Sequence, residues 1–569
     1  MYFMALALDY DGTLSINGKV SEETILALTK LKASGRRLIL VTGRQIEELK
    51  KIFERLDLFD RVVAENGALI YTPQSQAQQL LAEPPPPEFI EKLKACGVTP
   101  IMIGNVIVST HEPQEITVLK VIREMNLELN IIFNKGAVMI LPSSVNKATG
   151  LTAVLKELGL SMHNVVGIGD AENDHSFLRA VGLGVAVANA SAAVKQSAAL
   201  TTMNPSSLGV AEIIKQLLEN EYEFFSKVQH KIPIGTDRDN ILVELAPADR
   251  VLIAGNSGIG KSTLATVLTE KMVLKSFQFC IFDPEGDYEK LENSFSVGEA
   301  KIAPSVEQVI DLLKDPSHSI VVNTLGIDLN ERPAFFVNIS TKLINLKAST
   351  GRPHWIIIDE AHHLMPAAQQ SLTVSLIQEG TILITVHPEA IEPDALKVLN
   401  VIILMGPQAP AIMEKVSKII GEALPNVEIP IPNDDELLVW QRTPISAIKI
   451  VKAYKPLQQH KRHTRKYATG NLDDELCFYF RGPNNALYLK AQNLMIFLQI
   501  AEGVDDATWM YHLRRSDYSH WFQIHIKDDI LSKETAIIER DKTFTAAESR
   551  ELISNLIKRL YTAPASLAD

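Results

Sequence analysis

The chain contains 569 residues, of which 46% are hydrophobic and 22% are charged. This composition excludes a disordered tail protein and a collagen-like protein, and the length predicts roughly three or four domains. The formal net charge is −12, so binding of nucleic acid would need a local basic patch. The three cysteines lie far apart, and no apolar run reaches about 20 residues. The sequence therefore predicts a multidomain cytoplasmic protein without a membrane span.

The first part of the chain alternates short apolar runs with helical periods. Three runs are expected to form buried parallel strands: residues 4–8, 38–42 and 165–168. Amphipathic helices are expected near residues 21–33 and 44–56. Between about 73 and 141 the pattern changes to helix, two strands, helix and two strands, which predicts a small inserted α+β module.

A second α/β pattern follows a polar connection near residues 220–232. Its strands are expected at residues 249–254, 278–283, 319–324, 354–358 and 381–386. The basic run at 460–466 is typical of a solvated linker. The last hundred residues or so have helical periodicity, and we expect Trp509 and Trp521 in the core of a small helical bundle.

Acidic residues follow the first predicted strand, in the order Asp9-Tyr10-Asp11-Gly12-Thr13. Carboxylates at i and i+2 of an extended chain share one side, and the carboxyl edge of a parallel sheet is where α/β folds place ligands. Polar residues follow the later elements in a fixed order: Thr42, Lys147, Asp170, Asn173 and Asp174. This arrangement is typical of phosphoryl transfer, since a carboxylate that attacks a phosphate needs neutralising charge nearby.

These residues, together with ENGA at 65–68 and GVAVANA at 184–190, resemble the haloacid-dehalogenase (HAD) superfamily and, within it, the Cof-type phosphatases of class IIB. The resemblance implies that Asp9 is the nucleophile that forms an aspartyl-phosphate and that Asp11 is the general acid and base. It also implies that Thr42 and Lys147 hold the phosphoryl oxygens. The alternative is a HAD scaffold without activity.

The resemblance further implies a Mg²⁺ ion, held by Asp9, by the backbone carbonyl of Asp11 and by Asp170. Asn173 and Asp174 would then support Lys147 and the metal ligands. The module at 73–141 corresponds to the cap that selects the substrate in class IIB.

The cap is close in size to the caps of archaeal phosphoglycolate phosphatases. This small size favours a small phosphorylated metabolite, either a sugar phosphate or a phosphoglycolate-like compound. Arg44 and the cap loops are candidates for contact with the substrate, with a surface role as the alternative.

A phosphate-binding loop follows the strand at 249–254 and precedes a helical pattern. Its residues are Gly255, Asn256, Ser257, Gly258, Ile259, Gly260, Lys261, Ser262 and Thr263. In such a loop the lysine reaches the β- and γ-phosphates of ATP, and the serine binds Mg²⁺. A second strand ends in Asp359 and Glu360, which are expected to hold the metal and to polarise the attacking water.

The motifs DPEGDY at 283–288 and DEAHHLMP at 359–366 resemble the HerA/FtsK branch of hexameric ATPases, over about residues 230–455. The resemblance implies supporting roles for Asp283 and Glu285 and a cyclic homo-oligomer, with a hexamer favoured. Thr385 and His387 lie where a polar sensor would follow a strand, although an ordinary strand end is the alternative.

The arginine that such hexamers supply across a subunit interface has no evident counterpart in the segment VLNVIILMG at 398–406. Arg332, Arg352 and Arg442 are candidate substitutes, each interpreted as a surface residue. This gap leaves the ring mechanism open. Nucleotide binding rests on the loop itself and is still expected.

The predicted fold class is α/β: a HAD Rossmannoid domain with a small α+β cap, a P-loop ATPase domain and a small, mainly helical C-terminal domain. The expected boundaries are 1–222 with the cap at 73–141, 223–455 and 456–569. The predicted function is Mg²⁺-dependent hydrolysis of a small phosphomonoester, coupled to a domain that binds and hydrolyses ATP. A ring-forming nucleic-acid motor with an accessory phosphatase is one alternative, although nucleic acid is not the favoured partner. An ATP-gated regulatory phosphatase is the other.

Overall fold

The computed structural model describes residues 1–134, 136–288, 291–367, 374–425, 429–443, 447–456, 472, 474–526 and 528–560. The chain divides into two compact units, Met1–Leu457 and Gln458–Asp569. Among the described helices, none combines the length and the apolar character needed to cross a membrane. The predicted basic linker at 460–466 lies outside the described residues.

The first part of the larger unit contains twelve strands. They are β1 (Ala5–Leu8), β2 (Arg37–Val41), β3 (Arg61–Ala64), β4 (Leu69–Thr72), β5 (Ala77–Leu80), β6 (Met102–Ile103), β7 (Val108–His111), β8 (Leu129–Asn134), β9 (Ala137–Pro142), β10 (Val165–Gly169), β11 (Leu183–Ala186) and β12 (Leu200–Thr201). The helices are α1 (Glu22–Ala33), α2 (Ile46–Ile52), α3 (Pro87–Ala95), α4 (Glu115–Glu124), α5 (Lys147–Glu157), α6 (His175–Ala180), α7 (Ala192–Ser197) and α8 (Ser206–Asn220).

Eight of these strands form one sheet in the order β12-β11-β10-β1-β2-β3-β4-β5. The strands from β12 to β3 are parallel, and β4 and β5 are antiparallel. Strand β1 lies between β10 and β2, with Ala5 paired to both Val165 and Arg37. Because β1 is buried along its whole length, its apolar run carries the following residue, Asp9, to the carboxyl edge of the sheet.

The remaining four strands form a separate antiparallel sheet in the order β6-β7-β9-β8. Helices α3 and α4 pack on it around a small core that includes Phe89, Leu93, Val118 and Ile140. The Gln-rich stretch at the start of the predicted module contains the exposed strand β5, which extends the main sheet. The sequence analysis did not predict this edge strand, because both of its faces are exposed and polar and it therefore lacks an apolar pattern.

The second part of the larger unit is built on an eleven-stranded sheet. Its strands are β13 (Ile232–Asp237), β14 (Leu242–Leu245), β15 (Arg250–Gly255), β16 (Phe279–Asp283), β17 (Ser294–Val297), β18 (Ser319–Asn323), β19 (Trp355–Ile358), β20 (Thr381–Thr385), β21 (Val401–Met405), β22 (Glu436–Gln441) and β23 (Ala447–Ala453). Its helices are α9 (Lys261–Leu274), α10 (Val306–Leu313), α11 (Arg332–Thr350), α12 (Ala361–Leu364), α13 (Pro393–Lys397) and α14 (Ala409–Ile420).

These strands are ordered β14-β13-β23-β22-β21-β15-β20-β19-β16-β18-β17. The seven from β21 to β17 are parallel, and the other four are antiparallel to their neighbours. All five strands predicted from the sequence are present, with ends that agree within one residue. The parallel centre brings the loops after β15, β16 and β19 to one edge of the sheet.

The two sheets meet through loops that precede their strands. Asn164, just before β10, donates from Nδ2 to the carbonyl oxygen of Gly351 (3.2 Å), and its Oδ1 lies 3.1 Å from Nε2 of His354, just before β19. The ring of His163 stacks on Phe277 with centroids 3.8 Å apart. All four side chains involved are buried, which makes this junction a packed interface.

Arg352 also belongs to this junction, and its interpretation as a surface residue is wrong. It is fully buried, and its guanidinium donates to the carbonyl oxygens of Gly159 (2.6 Å), Leu313 (3.1 Å) and Lys314 (3.0 Å). The sequence gives no sign of this burial, because the carbonyl groups that bind Arg352 come from distant loops.

The smaller unit is mainly helical. Its elements are β24 (Phe478–Phe480), β25 (Leu489–Ala491), α15 (Leu494–Gly503), α16 (Asp506–Arg514), α17 (Asp517–Ile524), α18 (Asp529–Arg540) and α19 (Ala546–Leu560). Trp509 and Trp521 are buried in its core, as predicted. Two α/β sheets and a helical end agree with the predicted fold class.

Candidate active sites

Asp9 and Lys147 form a buried ion pair at the carboxyl edge of the first sheet. Lys147 Nζ lies 2.5 Å from Asp9 Oδ1 and 2.5 Å from Asp174 Oδ1. Lys147 is the first residue of α5, whose preceding residue, Asn146, accepts hydrogen bonds from the backbone N–H groups of Ala148 and Thr149. This N-terminal capping by Asn146 fixes the start of the helix, so the lysine side chain is held between the two carboxylates.

A third carboxylate, Asp170, completes the acidic group after β10. Among the described residues, oxygens of Asp9, Asp170 and Asp174 lie within 4.8 Å of one another. Thr13 donates to Asp170 Oδ1 (3.0 Å), and Asp174 Oδ2 accepts from the backbone N–H of Asp170 (2.9 Å). Three buried carboxylates against one lysine leave negative charge uncompensated, so the group fits a divalent cation with oxygen ligands.

The electrostatics of the site agree with this charge imbalance. Burial, and then the neighbouring Asp174, raise the pKa of Asp9 to about 8, although Lys147 opposes the shift. Burial lowers the pKa of Lys147, but Asp174 and Asp9 together raise it above its ordinary value. The lysine is therefore charged, and a further cation would favour ionised Asp9.

Asp11 is partly exposed and lies outside this acidic group. Its carboxylate accepts two hydrogen bonds from Arg44, from Nε at 2.6 Å and from NH2 at 2.8 Å. The predicted candidate for substrate contact, Arg44, thus orients the predicted acid and base in this structure. Among the described residues, the carboxylate of Asp11 is not one of the three that lie within 4.8 Å of one another.

Thr42 and Asn173 lie on either side of a tight turn at Glu65-Asn66-Gly67. Thr42 is buried, its hydroxyl accepts from the N–H of Arg44 (3.1 Å), and its carbonyl oxygen accepts from the N–H of Asn66 (3.0 Å). Asn173 donates from Nδ2 to Asn66 Oδ1 (3.0 Å). Asn173 therefore supports the turn, whereas Asp174 contacts Lys147 directly.

Two further residues hold the loop that carries Asp11. Asn189 donates from Nδ2 and Ser206 donates from Oγ to the carbonyl oxygen of Gly12, at 2.8 and 2.7 Å. Asn189 belongs to the GVAVANA motif and could have been proposed from it. Ser206 stands in no motif, and only the fold brings it to this loop.

The phosphate-binding loop connects β15 to α9, as predicted. Gly255, Gly258 and Gly260 have φ values of 157°, 77° and 106°, and the last two lie in the region that favours glycine. Lys261 begins α9, and its Nζ donates to the carbonyl oxygens of Gly255 (3.0 Å) and Asn256 (2.9 Å). Ser262 is half-buried at the start of the same helix.

Asp359 and Glu360 follow β19 at the same edge of the sheet. Burial, and then the charge of Glu360, raise the pKa of Asp359 well above its ordinary value, with Asp287 and Asp283 contributing. Glu360 has a φ of 40° and its Oε2 lies 3.4 Å from Nδ1 of His362. Asp287, which the sequence analysis did not single out, therefore contributes to the electrostatics of Asp359.

Asp283 organises the loop after β16. Its carboxylate accepts from the N–H groups of Gly286 (2.7 Å), Asp287 (3.1 Å) and Tyr288 (2.9 Å). Burial nevertheless raises the pKa of Asp283 to about 6. Glu285 lies on the same loop.

Arg332 and Arg442, two of the candidate substitutes for a subunit-crossing arginine, are bound within the chain. Arg332 is buried and donates to the carbonyl oxygen of Ile327 (3.1 Å), so its interpretation as a surface residue is wrong. Arg442 is half-buried and pairs with Glu422 (2.6 Å).

The predicted sensor residues Thr385 and His387 contact each other. The Thr385 hydroxyl accepts from the backbone N–H of His387 (2.9 Å) and lies 3.0 Å from Nδ1 of His362.

Comparison with known families and proteins matches the two parts of the chain separately. Residues 6–99 and 99–214 match the model for haloacid dehalogenase-like hydrolases, and residues 231–413 match that for the central domain of the helicase HerA. The first part of the chain is therefore similar to haloacid dehalogenase-like hydrolases, and the second part is similar to the central domain of HerA.

Individual relatives match the first part. A phosphoglycolate phosphatase of Methanothermobacter thermautotrophicus is 27% identical over 223 residues, covering 38% of this chain and 98% of that protein. Phosphoglycolate phosphatase 2 of Saccharolobus solfataricus is 29% identical over 225 residues, covering 38% and 93%. The solved structure of a haloacid dehalogenase-like hydrolase from Bacteroides thetaiotaomicron is 21% identical, with a TM-score of 0.35, and covers 38% of this chain and 99% of that one.

Proposed function

We propose that the first domain is a Mg²⁺-dependent phosphomonoester hydrolase that acts through an aspartyl-phosphate on Asp9. The observation that carries this proposal is the buried group of Asp9, Lys147 and Asp174 beside Asp170. A buried carboxylate next to a charged lysine and a candidate metal site is the arrangement that phosphoryl transfer to an aspartate requires. We also propose domain boundaries at 1–222, 223–455 and 456–569, with the cap at 73–141.

The proposed reaction has two displacements at phosphorus. Asp9 attacks the phosphoryl group, the ester P–O bond breaks, and Asp11 gives a proton to the leaving oxygen. Water then attacks the aspartyl-phosphate, Asp11 takes its proton, and inorganic phosphate leaves. Lys147 and Thr42 hold the phosphoryl oxygens throughout. Mg²⁺, which Asp9 and Asp170 would hold, supplies further charge neutralisation when bound.

The proposed substrate is a small phosphorylated metabolite, such as phosphoglycolate or a sugar phosphate. Support comes from the named activity of the relatives and from the small cap, which consists of two helices and four strands. The ion pair between Arg44 and Asp11 lies beside the reacting group, where it can orient the acid toward a short leaving group.

We propose that the second domain binds and hydrolyses ATP. Lys261 and Ser262 would hold the phosphates and the metal, and Asp359 and Glu360 would hold the metal and polarise the attacking water. A second candidate function is a nucleic-acid motor, which the match to the central domain of the helicase HerA favours. DNA-stimulated ATP hydrolysis that falls steeply with salt would favour that motor, whereas stimulation by a phosphorylated metabolite would favour a regulated phosphatase.

The decisive experiment measures phosphate release from a panel of small phosphomonoesters by the full chain and by Asp9→Asn. The amide cannot form the acyl-phosphate, so hydrolysis should fall by about a thousandfold or more, while ATP hydrolysis is unchanged. Asp57→Asn, which removes a carboxylate from an exposed position, is the matched control. Full turnover by Asp9→Asn would refute the assignment of the nucleophile.

A further inference from the structure

The turn at Glu65-Asn66-Gly67 has an unusual backbone. Its three residues have positive φ values of 51°, 53° and 106° in succession. For a residue other than glycine such a conformation is strained, so two in a row need compensating contacts. The turn follows β3 at the edge of the phosphoryl site, and its strained backbone places Glu65 and Asn66 in the contacts described below.

The carboxylate of Glu65 is fully buried and binds a loop of the cap. Oε1 accepts from the backbone N–H of Asn105 (2.9 Å) and from its Nδ2 (3.1 Å). Oε2 accepts from the N–H groups of Val106 (2.8 Å) and Ile107 (2.9 Å). Three successive backbone donors converge on one carboxylate, an arrangement that gives strong, charge-assisted hydrogen bonds.

The same loop is packed as well as hydrogen-bonded. Val106 and Ile107 are buried in a small apolar cluster with Ala68, just after the turn, and with Met139 of the cap. A Cβ atom on Gly104 would lie 2.8 Å from Glu65 Oε2, so the loop approaches the carboxylate as closely as a glycine allows. The cap is therefore attached to the main sheet at this point by both polar and apolar contacts.

The other side of the turn contacts the phosphoryl site. Asn66 bonds to the backbone of Thr42 and to the side chain of Asn173. A Cβ atom on Gly67 would lie 2.0 Å from the carbonyl oxygen of Asn146, the residue before Lys147. One turn thus contacts the cap loop and three segments that carry the predicted phosphate-binding and supporting residues.

We propose that Glu65 is a positioning residue that locks the cap loop 104–107 over the phosphoryl site and thereby sets the selection of small substrates. Both of its oxygens are taken up by the loop, so Glu65 acts through the loop and makes no contact with substrate. This inference rests on the proposed phosphatase function for its consequence in catalysis, but the lock itself is independent of that function.

The kinetic test compares Glu65→Gln with the full-length wild type on phosphoglycolate and on p-nitrophenyl phosphate. The amide presents an NH₂ group to backbone donors, so KM for phosphoglycolate should rise by about tenfold or more. The activity on p-nitrophenyl phosphate, whose leaving group gains little from a fitted cap, should change by less than about threefold. Glu65→Asp should give an intermediate KM, and Glu91→Gln, on the exposed side of α3, should behave as wild type.

Hydrogen exchange provides a readout that needs no activity. The amides of residues 105–107 should exchange about tenfold faster in Glu65→Gln than in wild type, while those of α5 keep their protection. If the wild type hydrolyses no phosphomonoester, the proposed function fails and the exchange rates alone decide the lock. Unchanged exchange at 105–107 would overturn the inference, as would an equal loss of activity on both substrates together with faster exchange throughout the domain.

Discussion

The two candidate sites place their lysines in different environments. Lys147 lies 2.5 Å from two buried carboxylates, whereas Lys261 donates to the backbone carbonyl oxygens of Gly255 and Asn256. The first lysine balances carboxylate charge that the fold has buried, so we expect it to stabilise the folded domain. The second donates to two carbonyl oxygens of its own loop, and a nucleotide phosphate can replace them as acceptors.

The largest expected effect breaks this contrast directly. Lys147→Met should remove phosphomonoester hydrolysis almost completely and destabilise the domain by about 3 kcal/mol, because it leaves Asp9 and Asp174 without their cation. Lys261→Met should remove nucleotide binding and leave the melting temperature without nucleotide nearly unchanged. Calorimetry and activity assays on both variants provide the measurement.

Lys156→Met, an exposed lysine on the same helix as Lys147, is the matched control and should alter neither quantity. An equal loss of unfolding free energy in Lys147→Met and Lys261→Met would contradict the expectation that Lys147 contributes more to stability.

A smaller effect is expected from Glu360→Gln in the second site. The amide cannot polarise water, so ATP hydrolysis should fall by about a hundredfold while ATP binding is retained. Nucleotide affinity is measured by fluorescence titration, and turnover by phosphate release. Phosphatase rates of this variant with and without ATP then test gating. If Glu360→Gln and Lys261→Met show identical phosphatase rates in all conditions, the regulatory hypothesis fails.

The source of a charge-stabilising arginine sharpens the comparison further. Arg332, Arg352 and Arg442 are each bound within the chain. We therefore expect a neighbouring subunit to supply the cation in a ring, and the ATPase rate per subunit should rise by roughly tenfold with protein concentration. Light scattering with and without an ATP analogue measures the mass. A monomeric mass with a concentration-independent rate would exclude the ring.

The smallest effect concerns the junction between the two sheets. Burial, and then His230, lower the pKa of His163 to about 3, against about 6.5 in the unfolded chain. Between these two pH values the unfolded state therefore binds one more proton than the folded state. The contribution of neutral His163 to the free energy of unfolding is fully present above about pH 6.5 and is lost as the pH falls toward 3. His354 and Lys275 also face this ring.

His163→Gln should flatten the dependence of unfolding free energy on pH between 5 and 7 by about 1 kcal/mol per unit at most. Urea titrations at several pH values give the slope. His111→Gln, at an exposed position in the cap, should leave the slope unchanged. If the slope of unfolding free energy against pH is the same in wild type and in His163→Gln, the buried histidine does not contribute to the loss of stability in acid.

Much of the fold could be predicted because buried parallel strands have continuous apolar runs. The strands that lead to Asp9, Asn256 and Asp359 were all found in this way, and their positions bring the motif residues together. Strand β5 was missed because both of its faces are polar and exposed. The roles of the site residues stay predictions, since proximity does not measure reactivity.

Other features could not be predicted because they depend on contacts between distant segments. The burial of Arg352 requires carbonyl groups from two distant segments, one at Gly159 and one at Leu313 and Lys314. Asp287 raises the pKa of Asp359 because the parallel sheet brings the loops after β16 and β19 together. The pairing of Arg44 with Asp11 is of the same kind, because 33 positions separate the two residues in the sequence. Motif spacing indicates which residue types recur, and the fold decides which of them meet.

The contact between Asn164 and His354 has a consequence for how the two reactions communicate. Asn164 opens the strand that leads to Asp170, and His354 opens the strand that leads to Asp359. At about 3.3 Å per residue, Asp170 lies about 20 Å and Asp359 about 17 Å along the chain from this contact. A conformational signal between the two sites would travel along these two strands as a displacement of their backbones.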